Sequence, residues 1–313
     1  MKFGFGVDLG GTSVKIAYFD ENGEMKEKWE IPTDTAENGK NIVPDIAKSI
    51  QNYLLEKPVS PENIVGIGIG VPGAVLPDGT VNKCINLGWG VFNIEKELSA
   101  LTGFAVKAGN DATVAAMGEC WKGGGQGCKN MVFATLGTGV GGGIVVDGKV
   151  IHGTHGAGGE IGHLVLNRSE TEQCNCGKYG CVEQYCSATG IVRLAKKHLA
   201  ATDAACSLRE LENMTCKDVF DAGAAGDGVA LEILEQVYSY LGEFLADVCC
   251  ITDPEVIVLG GGVSRAGQPL LEGAKRYYQK YVFHAARDTQ IKLATLGNDA
   301  GAYGAFKLVL DKQ

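Results

Sequence analysis

Residues 3–20 read FGFGVDLGGTSVKIAYFD, and residues 131–151 read MVFATLGTGVGGGIVVDGKVI. Each begins with an apolar run of strand length, breaks at glycines, and resumes as a second apolar run. That is the signature of a strand, a tight glycine turn and a returning strand. Asn22-Gly23 and Asp147-Gly148 then supply hairpin turns in corresponding places. Two such units, each opening a mixed α/β segment, predict a duplicated, two-lobed α/β architecture. The expected lobes are residues 1–115, joined by a C-terminal helix over 300–313, and residues 116–299.

The intervening chain fits this plan. Ile42, Ile46, Ile50 and Leu54 mark one face of a helix, with Pro58 just past its end. IVGIGIGV (64–71) reads as a buried strand. Ile94, Leu98 and Leu101 give a helix closed by Gly103. FAVKAGND (104–111) is a short strand running into a helix near Asp111. Helices dominate from Ser187 to Ile251, EVIVLGGGVS (255–264) is a strand reaching a third glycine turn, and a last helix over Ala300 to Leu310 is placed to return to the first lobe.

Composition narrows the function. The 313-residue chain is long enough for two cores, and its formal net charge is −9 from 37 acidic and 28 basic residues. Without a Lys/Arg cluster, nucleic acid and anionic membrane surfaces are not expected partners. The N-terminus has no apolar signal region, and the apolar pattern Val229–Ile251 is interrupted by Glu232, Glu235, Glu243 and Asp247, so a cytoplasmic protein is expected. Eight of the 11 cysteines are scattered and read as small buried hydrophobes.

DLGGTSVK (8–15), LGTGVGGG (136–143) and LGGGVS (259–264) each place glycines at a strand end. Glycine lets backbone N–H groups surround an anion without a Cβ in the way. None of the three is a GxxxxGK[ST] loop or a GxGxxG that opens a helix, so the expected ligand is a nucleotide held between two lobes in another manner. In GNDATVAAMGE (109–119), Asp111 stands where strand gives way to helix. It either accepts a hydroxyl proton, with Asn110 orienting the same hydroxyl, or caps the helix. In GAGGEIGH (156–163), Glu160 and His163 are three residues apart, and Glu183 follows a cysteine cluster. These groups either line a pocket and hydrogen-bond vicinal hydroxyls or are solvated loop charges. Cys174, Cys176 and Cys181 with His163 form a Cys₃His set suited to tetrahedral zinc. Four protein ligands leave no position for a water nucleophile, so the metal is expected to be structural. It would orient His163 and pin the loop ending at Glu183, supporting the contacts of those residues to a ligand's hydroxyls while changing nucleotide binding much less.

Together DLGGTSVK, GNDATVAAMGE, LGTGVGGGI, GEIGH and CNCGKYGCVE, in this order, resemble the ROK family (repressors, open reading frames, kinases), whose fold is the actin-like, sugar kinase and heat-shock ATPase one. The resemblance covers essentially the whole chain. It is strongest to the family's bacterial ATP-dependent glucokinases, and C-x-C-G-x-x-G-C-x-E is its most specific element. The resemblance implies a first phosphate loop at Asp8, Gly10, Gly11, Thr12 and Lys15. It implies a second at Gly137, Thr138, Gly139 and Gly141, and an adenosine segment at Gly260 and Gly261. Asp111 would be the catalytic base. Gly73, Asn110, Asp111, Glu160, His163 and Glu183 would meet the sugar, and His163, Cys174, Cys176 and Cys181 would bind zinc. Gly109 stands where glutamate often precedes the Asn-Asp pair, and Gly159 where alanine often precedes EIGH; neither change removes a functional group.

The implied activity is phosphorylation of glucose at its 6-hydroxyl by ATP with Mg²⁺, in a homodimer. N-acetylmannosamine, N-acetylglucosamine, allose and fructose are alternative substrates. A sugar-responsive repressor of the same family would carry a DNA-binding domain before the first phosphate loop, which here starts within the first ten residues. A non-catalytic nucleotide-binding protein would not need an intact GNDA and EIGH.

Overall fold

The computed structural model describes residues 1–57 and 59–311. Pro58, and Lys312 and Gln313 of the expected C-terminal helix, lie outside the described residues. The chain forms two compact units. One comprises Met1–Gly127, Gly143–Gly159 and the segment from Thr295 onward; the other comprises Cys128–Gly142 and Glu160–Ala294.

In the first unit, β1 (Phe3–Leu9), β2 (Ser13–Asp20), β3 (Met25–Pro32), β4 (Ile64–Val71) and β7 (Val106–Asn110) form a sheet of order β3-β2-β1-β4-β7. β1 and β2 pair antiparallel, from Phe3 opposite Asp20 to Leu9 opposite Val14, while β1, β4 and β7 run parallel. A small hairpin, β5 (Thr80–Cys84) and β6 (Trp89–Asn93), stands apart from this sheet. The helices are a single turn α1 (Ala36–Gly39), then α2 (Ile42–Glu56), α3 (Ile94–Thr102), α4 (Asp111–Lys122) and α10 (Ala300–Leu310).

Side chains alternate across the strands, so β1 sends Phe5, Val7 and Leu9 into a core with Ile42, Ile46 and Ile50 of α2 and Ile94 and Leu98 of α3. Leu101, expected on the buried face of α3, is 42% exposed. The helix ends one residue later, and Gly103 at φ 77° turns the chain away, so its last turn clears the core.

The opposite face of β1 and β4 carries Gly4, Gly6, Gly66 and Gly68, and α10 lies directly on it. A Cβ at Gly6 would sit 2.0 Å from the Ala302 carbonyl oxygen, and one at Gly68 would sit 1.6 Å from that of Ala305. The same close approach joins α10 to α4, where a Cβ on Gly304 would meet the Val114 carbonyl at 1.7 Å. Beyond the glycines, Phe306 stacks on Phe19 at 5.0 Å within a second cluster that includes Val65 and Val309. Burying a side chain of this size contributes about 1.5–3 kcal/mol.

The second five-stranded sheet has the order β10-β9-β8-β11-β12, from β8 (Met131–Leu136), β9 (Val140–Val146), β10 (Lys149–Val150), β11 (Val256–Gly260) and β12 (Gln290–Leu293). Residues of β9 up to Gly142 count with the second unit, and those from Gly143 with the first. β8, β11 and β12 are parallel. Strand for strand this repeats the first sheet: a hairpin at one side, then parallel strands. The duplicated α/β plan read from the two glycine-turn segments is therefore the architecture. Around it lie α5 (Glu183–Cys186), α6 (Ala188–Ala200), α7 (Cys216–Ala224), α8 (Gly228–Thr252) and α9 (Gln268–Tyr281).

α8 covers the long apolar pattern, capped by Asp227, whose side chain accepts the Val229 and Ala230 N–H groups. No helix among the described residues is long and apolar enough to cross a membrane. The eight scattered cysteines are less uniform than expected. Cys84, Cys186 and Cys249 are buried, Cys120, Cys128, Cys206 and Cys216 are half-buried, and Cys250 is exposed because it faces away from the core side of α8.

Candidate active site

In the first unit the predicted residues gather at the carboxyl ends of the parallel strands β1, β4 and β7, where α/β sheets place ligands. The register puts Asp8 opposite Gly70, Gly70 opposite Gly109, and Val71 opposite Asn110. The turn after β1 is closed by a bond from Gly10 N–H to Ser13 O (3.0 Å) and held from outside by Thr33. The Thr33 hydroxyl donates to Gly10 O at 2.7 Å, and its N–H donates to Thr12 O at 3.0 Å. Gly11 faces open space. The Lys15 ammonium is 3.9 Å from Asp8. Burial raises the Asp8 carboxyl above its ordinary range; Lys15 opposes this, and Asp299 and Glu30 add to it.

Of the two readings of Asp111, the helix cap is not the one found. Asn110 caps α4, its Oδ1 accepting the Thr113 N–H at 3.1 Å. Asp111 is the first residue inside the helix and not its cap. The Asn110 amide donates to Gly73 O (3.0 Å) and to Asp111 Oδ1 (2.9 Å). Asp111 Oδ1 also accepts the Ala112 N–H at 2.8 Å. One amide thus joins the Gly73 turn, the helix start and the Asp111 carboxylate.

In the second unit the turn after β8 is shorter than the run of glycines suggests. Gly137 N–H donates to Gly139 O at 2.9 Å, and β9 begins at Val140. Gly141, read with the turn, is already in the strand. Gly261, at φ 81°, lies against the end of β8: a Cβ there would be 2.5 Å from the Leu136 carbonyl oxygen. The second and third glycine segments are therefore neighbours.

His163, Cys174, Cys176 and Cys181 come together with all ligand atoms within 4.8 Å of one another. Cys176 and Cys181 sulfurs are 3.6 Å apart, and His163 Nδ1 is 4.0 Å from Cys174 Sγ. Zn–S bonds of about 2.3 Å in a tetrahedron put sulfurs about 3.8 Å apart, so the donor set fits zinc in spacing and in chemistry. The other ring nitrogen, Nε2, is 3.9 Å from the exposed Glu160 carboxylate. The glycines of this loop are conformational. Gly180 has φ 72° and would drive a Cβ to 1.8 Å from the Asn167 carbonyl oxygen, so only glycine can precede Cys181 here. Glu183, at the start of α5, points one oxygen at the cluster, 3.7 Å from Cys174 Sγ, and the other at the Val140 N–H, 3.0 Å away.

A model of the ROK family matches residues 4–312. The chain belongs to the ROK family. The glucokinase of Halalkalibacterium halodurans is 41% identical, across 98% of this chain and 95% of that protein. The glucokinase of Thermotoga maritima is 34% identical, across 98% and 97%. The solved structure of a ROK family glucokinase from Streptomyces griseus in complex with glucose and AMPPNP superposes with a TM-score of 0.78 at 31% identity, covering 98% of each chain.

The ROK cysteine loop depends on residues that spacing alone did not single out. Gln184 is buried next to Glu183. Its Oε1 accepts the Gly180 and Cys181 N–H groups at 2.8 and 3.1 Å, and its amide donates to Glu172 O at 2.9 Å. Arg193 on α6 donates to Gln184 O (3.0 Å), to Glu172 (2.6 Å) and to Glu170. Its position in an amphipathic helix resembles any solvated cation, which is why the sequence does not mark it.

Burial works to raise the Glu170 carboxyl, yet Arg193, the Glu172 N–H and the Tyr185 hydroxyl outweigh it and hold the group well below the usual carboxylate range. A depressed acid contributes stability above its ordinary value, 4.5, and loses it as pH falls toward the folded value. The Glu170 and Arg193 side chains are only 6% and 19% exposed. Arg193→Ala is therefore expected to cost about 2 kcal/mol at pH 7, because Glu170 loses its nearest cation but keeps Lys197 at 3.4 Å, the Tyr185 hydroxyl and the Glu172 N–H. It is also expected to flatten the loss of stability between pH 5 and about pH 3. Urea unfolding across that range measures both; a loss below about 1 kcal/mol would show that the network is not a support.

Proposed function

We propose that this ROK protein transfers the γ-phosphoryl group of ATP to the 6-hydroxyl of glucose, giving ADP and glucose 6-phosphate. The Asp111 arrangement carries the reading. A carboxylate at a helix start, held by Asn110 and the Ala112 N–H, is built as a general base and not used as a cap. The similarity to two glucokinases supports glucose as the acceptor.

Asp111 takes the proton of the 6-hydroxyl as the oxygen–phosphorus bond forms. The bond between the γ-phosphorus and the β,γ-bridging oxygen breaks, and ADP leaves with that oxygen. Asn110 spends both amide hydrogens inside the protein, so a sugar hydroxyl bonding to it uses the lone pair left on Oδ1. Glu160, His163 and Glu183 receive the remaining hydroxyls. The turns at Asp8–Lys15 and Gly137–Gly139 hold the phosphates, and Gly260 and Gly261 meet the adenosine. Mg²⁺ bound with the nucleotide would neutralise phosphate charge beside these turns. Zinc on His163 Nδ1, Cys174, Cys176 and Cys181 would fix the imidazole tautomer, leaving Nε2 protonated toward Glu160 and the sugar. The working form we propose is a cytoplasmic homodimer.

ADP release measured with glucose, N-acetylmannosamine, N-acetylglucosamine, allose and fructose tests the assignment. The expected order has glucose first in kcat/KM, by at least about tenfold, since a site that pairs a hydroxyl rejects sugars that misplace it. A higher kcat/KM for N-acetylmannosamine or fructose overturns glucose as the substrate.

A further inference from the structure

The second glycine turn has one bond of its own, Gly137 N–H to Gly139 O, and is otherwise held from outside. Three bonds reach it from a single short segment following the cysteine loop. Val140 N–H donates to Glu183 Oε2 at 3.0 Å, Ala188 N–H donates to Gly137 O at 2.8 Å, and the Thr189 hydroxyl donates to Thr138 O at 2.7 Å. Glu183 is itself fastened, since the Ser187 hydroxyl donates to its carbonyl at 2.6 Å. The fit is close: a Cβ on Gly139 would fall 2.3 Å from Glu183 Oε2, so the carboxylate occupies the space beside that glycine. Of the three tethers Glu183 alone is a side-chain acceptor, so the reach of its oxygen sets where the Val140 N–H is held. It is also the only one continuous with the cysteine cluster, through Oε1 beside Cys174 and two residues of chain after Cys181.

We propose that Glu183 is a positioning residue for the nucleotide: Oε2 sets the Gly137–Val140 turn in its phosphate-binding conformation, and Oε1 faces the cysteine loop and the sugar. The inference rests on the kinase reading and deepens it. A residue expected to serve only the sugar also shapes the other substrate's loop. Because the turn is glycine-rich, freeing Val140 N–H releases several backbone torsions that have no side chain to restrain them. Nucleotide binding must then reorder them, and affinity falls.

The test is binding of AMPPNP with Mg²⁺ and without sugar, by calorimetry, alongside glucose binding without nucleotide. Glu183→Ala removes the acceptor, and Glu183→Asp keeps the charge but withdraws it by one methylene. Glu183→Gln keeps an oxygen at the same reach. Expected AMPPNP affinities are about tenfold weaker for the alanine and aspartate variants and within about threefold of wild type for glutamine. KM for ATP should follow the same order, which a general loss of stability would not produce, because glutamine would restore it selectively. If Glu183→Ala does not fold, the aspartate and glutamine pair decides. Unchanged AMPPNP affinity in the alanine or aspartate variant, with glucose affinity lost, makes Glu183 a sugar contact only and overturns the proposal. Wild-type protein that fails to bind AMPPNP overturns the kinase reading first, and this proposal with it.

Discussion

Replacing Asp111 with asparagine is expected to lower kcat by about 10²–10⁴-fold, the usual worth of a positioned general base. The substitution is close to shape-neutral. Asparagine presents an Oδ1 in the same place, able to accept the Ala112 N–H and the Asn110 amide as the carboxylate does. The helix keeps its cap because the cap is Asn110. What is lost structurally is a negative charge in the first turn, about 0.3–1 kcal/mol. Melting temperature should therefore move by no more than a few degrees, and glucose and AMPPNP affinities should stay near wild type. Steady-state kinetics on the folded variant gives the answer, and near-wild-type kcat would remove Asp111 from the role of base. A large rise in KM with kcat unchanged would instead mark it as a binding residue.

The second large effect belongs to the cysteine cluster. Cys176→Ser exchanges a thiolate for a hard, weakly acidic hydroxyl. Metal affinity should drop by more than the ~10–100-fold that losing a neighbour of a ligand costs. Without metal, the loop keeps its turn bonds, Cys174 N–H to Lys178 O and Gly177 N–H to Cys174 O, both 2.8 Å, and the Gln184 bonds beneath it. The expected result is a loop that stays attached but loses its ordering: a less stable second unit and glucose affinity at least about tenfold weaker. From the sequence, nucleotide binding is expected to change much less than sugar binding. The Glu183–Val140 bond makes that smaller change a measurable loss, no larger than that of Glu183→Ala. Atomic absorption for zinc, with separate glucose and AMPPNP titrations before and after chelation, resolves the three effects. Purified protein without stoichiometric zinc that binds glucose at full strength would end the structural-metal reading. Equal losses for both ligands would make the metal a general staple of the unit.

The strands, the glycine turns, the long helix at Gly228–Thr252 and the clustering of Cys174, Cys176 and Cys181 were legible because each depends on residues near one another in the chain. Period-2 and period-3.6 patterns, turn glycines and a ligand loop are local facts, and the repeat of one strand–turn–strand pattern was enough for a duplicated α/β plan, though not for the order of strands in either sheet. Other features needed contacts across long separations. The glycines of FGFG and GIGIG looked like parts of ordinary buried strands. They are the floor on which α10, more than 200 residues away, lies against bare backbone. That Asn110 and not Asp111 caps α4 goes with an amide bonded to the carbonyl of Gly73, 37 residues earlier. The end of the second glycine turn at Gly139, and not beyond Gly141, was decided by an acceptor 43 residues along, Glu183. Sequence pattern reports which residues want burial or a turn. Which backbone group finds which partner is set by packing, because buried N–H and C=O groups must be paired with whatever the fold brings to them.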